Sequence, residues 1–349
     1  MSDLQILYQK IANLLDEIDF SALWPDFHPF PFALYNQEEV VIDNEKRPIT
    51  PQFIGNTAIK WEESWLAIWN IQDASDNDYQ LLTAKLVHEM FHAFQYEQKE
   101  KRFPNEMDGL RYGFSALNLT IKYQENLLLG ELSRHFTNTK WDEFIKRRNY
   151  RALHFPKQVD YESKIEVVEG MAQFVEMQAL KQIDEQVFIE EHNKLLLRLL
   201  DQNRLLKIRH LSYDVGTMLL LIMDAQKCSF KHRIGEETKT IFAMLSQPSA
   251  DVNFDFKIDE QIESLLKNDF GKKQAQITKV LETGKSVNKD FKIIGFDPLN
   301  AFIIDPYLYN PHFVMIETAG QREIIKQTVV CELSADFQGK TLYLSGNLN

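Results

Sequence analysis

Cysteine is nearly absent from this sequence, with two residues among 349. Cys228 and Cys331 stand far apart and lack the short spacings of cysteine-ligated metal sites. The sequence therefore argues against a disulfide framework and against a cysteine-based zinc site. We expect both side chains to be reduced thiols in the core, as is typical of a protein from a reducing compartment.

Long hydrophobic runs and an excess of basic residues are also missing. Apolar stretches such as Met218–Met223 are far shorter than the roughly 20 residues of a membrane-spanning helix, and the N-terminal segment lacks the basic start and apolar run of a signal peptide. The formal net charge is -12, whereas nucleic-acid binding needs clustered positive charge. We expect a cytoplasmic protein that binds neither membranes nor nucleic acid.

Hydrophobic residues make up 44% of the chain, which is ample for a packed core. Their spacing predicts an α+β protein with a helix over residues 4–18 and a nearly all-helical segment over 106–280. We expect a mainly helical domain over 1–285 and a small β-rich unit over 286–349. A small, mainly antiparallel sheet is predicted over about 30–72, with strands Phe32–Tyr35, Val40–Ile42, Phe53–Lys60 and Trp65–Ile71.

One motif carries chemistry, the HExxH sequence formed by His88, Glu89 and His92. An apolar stripe around it predicts a helix over about 78–100. Because residues four apart share a helical face, both imidazoles can reach a single ion, and Glu89 faces the water bound to that ion. Two histidines on an apolar face also occur as ordinary core residues, but the glutamate between them favours a metal site. Candidates for the helix N-cap are Ser75, Asp76 and Asp78.

The motif needs a third ligand, because zinc in a hydrolase takes three protein ligands and leaves its fourth position to water. The metzincin arrangement is excluded, since Gln95 and Gln98 occupy the positions of its glycine and histidine. A distant carboxylate is therefore expected. The candidates are Glu125, Glu131 and Glu169.

Glu169 is the favoured third ligand. A carboxylate on a second helix requires a close approach to the HExxH helix, and the small residues Gly170 and Ala172 permit that approach. The alternative is a solvated or salt-bridged helix carboxylate, because acidic residues are frequent in this segment.

The same segment resembles the gluzincin metallopeptidases, in which a glutamate on a downstream helix, often in the sequence Glu-Gly-x-Ala followed by an aromatic residue, completes HExxH. Residues 169–174 read Glu-Gly-Met-Ala-Gln-Phe. The resemblance covers the two motif helices and, loosely, residues 50–225, and it identifies no subfamily. Glu169 follows His92 by 77 positions, which is longer than in the best-known gluzincins, and an inserted helical pair over about 106–148 would fill the gap.

The resemblance implies a zincin-like catalytic domain that binds Zn²⁺ through His88, His92 and Glu169 and hydrolyses a peptide or protein substrate, with Glu89 as general base. The main alternative is a catalytically inactive zincin-like scaffold that acts as a binding or regulatory module. A third is hydrolysis of a non-peptide amide. Glu89 favours an enzyme, because a structural metal needs no general base.

Three further features would assist such a site. In gluzincin-like enzymes a Tyr or His beyond the third ligand commonly stabilises the oxyanion, and Tyr213 and then His210 are the candidates here. Gln173 shares a helical face with Glu169 and is a candidate for orienting a metal-bound histidine. If Trp65–Ile71 is the sheet edge nearest the metal, it either holds an extended peptide by strand addition or simply covers the core.

Overall fold

The chain folds as an α+β protein in a computed structural model that describes residues 3–71, 78–245, 254, 256–334 and 336–345. Two helices precede a five-stranded sheet, further helices form the middle, and a seven-stranded sheet comes last. The helices are α1 (Asp3–Leu15), α2 (Phe20–Leu23), α3 (Tyr79–Glu97), α4 (Glu106–Leu110), α5 (Ala116–Arg134), α6 (Asn138–His154), α7 (Pro156–Ile165), α8 (Met171–Ile183), α9 (Glu185–Leu200), α10 (Ile208–Ala225), α11 (Ile241–Leu245) and α12 (Glu260–Thr283). The strands are β1 (Phe32–Tyr35), β2 (Glu39–Ile42), β3 (Glu45–Pro48), β4 (Thr57–Trp61), β5 (Ser64–Asn70), β6 (Lys285–Phe296), β7 (Phe302–Ile304), β8 (Tyr307–Asn310), β9 (Val314–Thr318), β10 (Gln321–Ile325), β11 (Val329–Leu333) and β12 (Gln338–Leu344).

The first sheet has the strand order β3-β2-β1-β5-β4, and only its β1–β5 pair is parallel. The condition for strand addition at Trp65–Ile71 is not met, because β5 lies between β1 and β4 and is not an edge of the sheet. Leu66, Ala67 and Ile68 are buried in succession, which is typical of a strand covered on both faces. Within the described residues, β3 and β4 are the edges of this sheet.

Two strands of this sheet depart from the predicted limits. The strand expected over Phe53–Lys60 begins at Thr57, because the backbone N–H of Phe53 donates to the carbonyl of Thr50 and closes a turn. β3 escapes prediction because its sequence, Glu-Lys-Arg-Pro, contains no alternating apolar residues. The sequence pattern therefore marks the buried strands more reliably than the exposed ones.

α3 is the predicted HExxH helix, and it packs against β5 and α8. Val87, Phe91 and Phe94 are fully buried in the main core, which confirms the apolar stripe. Asp78 occupies the N-cap position. Ser75 and Asp76, the other two N-cap candidates, lie outside the described residues.

The helical middle of the chain agrees with the periodicity of the sequence. α4, α5, α6 and α7 fill the interval between α3 and Glu169. α12 joins the helices to the second sheet, since Ile262 lies in the main core whereas Val280 packs with Val330 of β11. No helix within the described ranges combines the length and the apolar character needed to cross a bilayer.

The second sheet confirms the predicted β-rich C-terminal unit. Its strand order is β10-β9-β6-β12-β11-β8-β7, and all neighbouring pairs are antiparallel. Cys331 of β11 is buried, as expected. The prediction of a core thiol is wrong for Cys228, which is exposed because it follows the end of α10.

A buried group of charges holds α5, α6 and α7 together. The Glu162 carboxylate accepts hydrogen bonds from Lys122 Nζ at 2.7 Å, from Arg151 Nη2 at 2.6 Å and from the Tyr112 hydroxyl at 2.5 Å. Burial would raise the pKa of Glu162, but the charges of Arg151 and Lys122 hold it well below its usual range. These contacts anchor α7 immediately before the segment that carries Glu169.

Candidate metal centre

Glu169 lies in a π-helical turn. Residues Glu166–Gly170 form a wide turn between α7 and α8, in one continuous helical segment. Such turns insert an extra residue and are frequent at functional sites. The turn rotates the residues that follow it relative to α7, so the position of the Glu169 carboxylate could not be deduced from ordinary helical spacing.

Gly170 brings this turn close to α10. A Cβ atom on Gly170 would stand 2.8 Å from the Cα of Gly216, and a Cβ atom on Gly216 would stand 2.8 Å from the carbonyl oxygen of Glu166. The prediction that Gly170 permits approach to the HExxH helix is therefore wrong, because the backbone that it contacts belongs to α10. The contact matters for the site, since α10 begins with Arg209 and Tyr213 in its first two turns.

The three predicted ligands converge on one point. His88 Nε2 and His92 Nε2 are 3.1 Å apart, and Glu169 Oε2 lies 3.2 Å from the His92 nitrogen and 3.7 Å from the His88 nitrogen. Tetrahedral zinc with bonds of about 2.0–2.1 Å places its ligand atoms about 3.3 Å from one another. The observed separations bracket this value, so the donor set fits a zinc ion in both chemistry and size.

Each histidine is oriented by a second contact. His88 Nδ1 donates to Glu176 Oε2 at 3.0 Å, and His92 Nδ1 donates to Gln95 Oε1 at 2.9 Å. The amide of Gln95 is itself oriented, because its Nε2 donates to the carbonyl of Val168 at 3.0 Å. With both Nδ1 atoms acting as donors, the Nε2 lone pairs are left for a metal.

Sequence reasoning missed Glu176 and chose Gln173 for this orienting role. That prediction is wrong, because Gln173 Oε1 accepts a hydrogen bond from the Thr217 hydroxyl at 2.9 Å. Glu176 lies seven residues after Glu169, a spacing that returns to the same helical face, and this was the available signal. Although burial opposes a charged ring, Glu169 and Glu176 raise the pKa of His88 to about 10. The two carboxylates thus create a field that favours a cation.

Arg209 was also missed, and it determines which oxygen of Glu169 is available. Its Nη2 donates to Glu169 Oε1 at 2.8 Å, and its Nη1 donates to Glu106 Oε1 at 2.6 Å. Glu169 Oε2, the atom that faces both histidines, is left for a metal. Arg209 lies 40 residues beyond Glu169 in the sequence. Its position next to Glu169 therefore depends on how α10 packs in the fold and could not be predicted from spacing.

Glu89 is a buried carboxylate beside the two histidines, with 7% of its surface exposed. Burial raises its pKa, while the charges of His88 and His92 oppose that rise. In the described part of the chain, no hydrogen bond or ion pair engages this carboxylate. It is therefore available to exchange a proton at the centre.

The two oxyanion candidates have different surroundings. Tyr213 is close to the centre, where burial and the charge of Glu169 raise the pKa of its phenol, and the Arg209 guanidinium lies 5.7 Å from its ring centroid. His210 lines a large neighbouring cavity instead, and its ring centroid is 6.4 Å from that of Tyr213. Burial, Arg204 and Lys207 lower the pKa of His210.

Tyr96 is another aromatic residue near the centre, four residues after His92 on the same face of α3. Its ring stacks on those of Trp65 and Phe103, with ring centroids 4.7 Å and 5.4 Å apart. Burial and the charges of Glu169 and Glu89 raise its pKa, which places it within electrostatic reach of the centre. The spacing of four from His92 was the signal that could have identified it.

The other carboxylate candidates lie elsewhere. Glu125 pairs with Arg151 at 2.8 Å inside the buried charge group, and Glu131 pairs with Lys140 at 2.8 Å on the surface. His88, His92 and Glu169 are the group that folding assembles, with their ligand atoms all within 4.8 Å of one another.

No protein-family model, no curated protein and no solved structure matches this chain. The resemblance to gluzincins therefore rests on the two motif segments, and function has to be argued from the geometry of the centre.

Proposed function

We propose that this chain is a zinc-dependent peptidase. The observation that carries the proposal is the convergence of three ligand atoms at tetrahedral spacing beside a buried carboxylate, Glu89, that has no partner within the described residues. A structural metal site would not require that carboxylate. Hydrolysis requires it as a general base.

His88, His92 and Glu169 would hold the ion, and Glu176, Gln95 and Arg209 would orient them. When bound, zinc supplies polarisation of the scissile carbonyl and lowers the pKa of a water molecule toward neutrality. The burial of the three ligands strengthens these electrostatic effects, because water screens them less.

Glu89 moves the proton in this proposal. Its carboxylate accepts a proton from the attacking water and then delivers it to the nitrogen of the leaving amine. Burial of Glu89 supports this role, since a raised pKa brings the carboxyl group closer to the range in which it both accepts and releases a proton.

Tyr213 is the proposed donor to the developing oxyanion. A tyrosine phenol carries its proton at neutral pH, and burial and Glu169 raise the pKa of this one further, so it can donate a hydrogen bond. Tyr96 has the same chemistry and a more exposed ring, with 38% of its surface accessible. Its stack with Trp65 and Phe103 also offers a flat apolar surface to a substrate side chain.

Metal content of the purified protein tests the site. Wild type is expected to contain nearly one zinc per chain, and His92→Ala and Glu169→Ala are expected to lose it. Matched controls are His135→Ala and Glu131→Ala, which remove an exposed histidine and an exposed glutamate from outside the centre. Wild-type protein that stays free of metal after zinc is supplied would contradict the proposed centre.

Glu89→Gln tests the reaction. This variant keeps its size and is expected to bind zinc normally while its cleavage of a peptide library falls by at least about a hundredfold, the lower end of the contribution of a general base. Zinc binding without cleavage of any peptide by wild type would favour the inactive scaffold or a non-peptide amide substrate. Undiminished cleavage by Glu89→Gln would contradict the mechanism.

A further inference from the structure

A large cavity lies where the helices meet the C-terminal sheet. Its volume is about 1,100 Å³, and α4, the start of α10, α12 and residues 298–305 contribute to its walls. Ligand cavities of about 300–1,000 Å³ enclose most of a drug-sized molecule, so this one has room for a short peptide segment. Phe270 and Leu299 line it and are 52% and 43% exposed, which adds apolar surface for such a segment.

The cavity shares a wall with the metal centre. Arg209 lines the cavity and binds Glu169 at 2.8 Å through Nη2. Glu106 lines it as well and binds the other end of the same guanidinium. Arg209 Nε is buried without a hydrogen-bond partner among the described residues, so this guanidinium is not saturated by the protein. A substrate bound at the centre therefore lies next to the cavity.

The charge of the cavity is opposite to that of the chain. Among the described residues that line it, five side chains are cationic and three are acidic, a net charge of +2 with the histidines neutral, whereas the whole chain carries -12. Lys273 is paired with Asp269 at 2.8 Å. Lys207 and Lys272 are exposed and make no ion pair within the described part of the chain. These two ammonium groups are available to an anionic ligand.

We propose that this cavity binds a carboxylate-bearing segment of the peptide substrate while the scissile bond lies at the metal centre. The assignment of the ligand as a substrate rests on the proposed function. The carboxylate belongs either to an Asp or Glu side chain or to the C-terminus of the peptide, since both present the same group to Lys207 and Lys272. Hydrophobic side chains of the same segment would contact Phe270 and Leu299.

The test measures peptide binding by the Glu89→Gln protein, which keeps the cavity and removes the general base. Fluorescent versions of one short peptide carry Glu or Gln side chains and a free or an amidated C-terminus. The test variant is Lys207→Glu/Lys272→Glu. The control is Lys146→Glu/Lys326→Glu, which makes the same change in net charge at two exposed lysines that do not line the cavity.

We expect a carboxylate-bearing peptide to bind more tightly than its neutral version. The affinity for the carboxylate-bearing peptide should fall by about tenfold in Lys207→Glu/Lys272→Glu and stay unchanged in the control, because each charge reversal at the cavity replaces an attraction with a repulsion. Preference for Glu over Gln identifies a side-chain carboxylate, and preference for the free over the amidated end identifies the C-terminus. Equal binding of all versions, or equal weakening in the control, overturns the proposal. Because binding is measured without cleavage, a preference for carboxylate-bearing peptides would support the cavity proposal even if the protein cleaves no peptide. Likewise, peptide cleavage by wild type without this preference would contradict the cavity proposal alone.

Discussion

The glycine contact between the π turn and α10 gives the sharpest structural prediction. In Gly170→Ala the new methyl carbon would stand 2.8 Å from the Cα of Gly216 and 3.1 Å from its carbonyl carbon. Carbon atoms prefer separations of about 3.5–4.0 Å, so the two backbones must separate by about 0.8 Å. No side-chain rotation relieves this contact, because both nearest atoms are main-chain atoms.

The expected cost follows from two opposing effects. Overpacking of this kind costs about 1–3 kcal/mol, and replacing a helical glycine by alanine contributes about 1 kcal/mol in the opposite direction. We expect a net loss of up to about 2 kcal/mol in the free energy of unfolding. The same shift moves Arg209 away from Glu169, so zinc affinity should fall by about tenfold, the smaller effect typical of losing an orienting contact.

Urea denaturation measures the first effect, and competition with a chelator measures the second. The matched control is Gly271→Ala in α12, where a Cβ atom would meet nothing within 4 Å. The free energy of unfolding of this control should rise by about 0.4–1 kcal/mol, and its zinc affinity should stay unchanged. A Gly170→Ala protein that is stabilised as much as the control, with unchanged zinc affinity, would refute the reasoning.

Three other changes test the centre and its supports. Glu176→Gln weakens the orientation of His88, and zinc affinity should fall by about 10–100-fold in a chelator competition, with unchanged affinity contradicting the role. Tyr213→Phe removes the proposed oxyanion donor, so kcat should fall by about a hundredfold with zinc retained, and an unchanged kcat would leave Tyr96 as the donor. Glu162→Gln should cost about 3–5 kcal/mol because Lys122, whose ion pair within the described residues is with Glu162, is left buried without a counter-charge, although Arg151 keeps its pair with Glu125. Because the pKa of Glu162 is lowered in the folded state, its carboxylate stabilises the fold above the unfolded-state pKa of about 4.3, and this stabilisation is lost as pH falls below that value. The free energy of unfolding of wild type should therefore fall more steeply with decreasing pH than that of the variant.

The buried elements of the fold could be read from the sequence. Alternation and helical spacing identified α3, the helices of the middle segment and the C-terminal sheet, because burial of one face imposes a period on the apolar residues. β3 could not be found in this way, since an exposed strand has no such pattern. Strand order was equally inaccessible. The parallel pairing of β1 with β5, which makes β5 internal, depends on a contact between separate segments.

In the candidate site, too, some residues could be identified from local sequence, whereas their contacts depend on the fold. His88, Glu89 and His92 were identified by local spacing, and Glu169 by its small neighbours and the resemblance that they carry. Folding alone placed the contacts of these ligands. The π turn orients Glu169, and Arg209 of α10 donates a hydrogen bond to one of its carboxylate oxygens. His88 is oriented by Glu176 and not by Gln173.

By itself, the sequence indicated the buried elements, the two motifs and the donor chemistry of the three candidate ligands, because each of these depends on residues within a few helical turns of one another. The tertiary structure decided which carboxylate oxygen faces the histidines, which groups orient them, and that a positively lined cavity adjoins the centre. Those properties arise from distances between side chains far apart in the chain, and such distances are set by packing contacts such as the close approach of Gly170 and Gly216. The local sequence pattern does not define those distances.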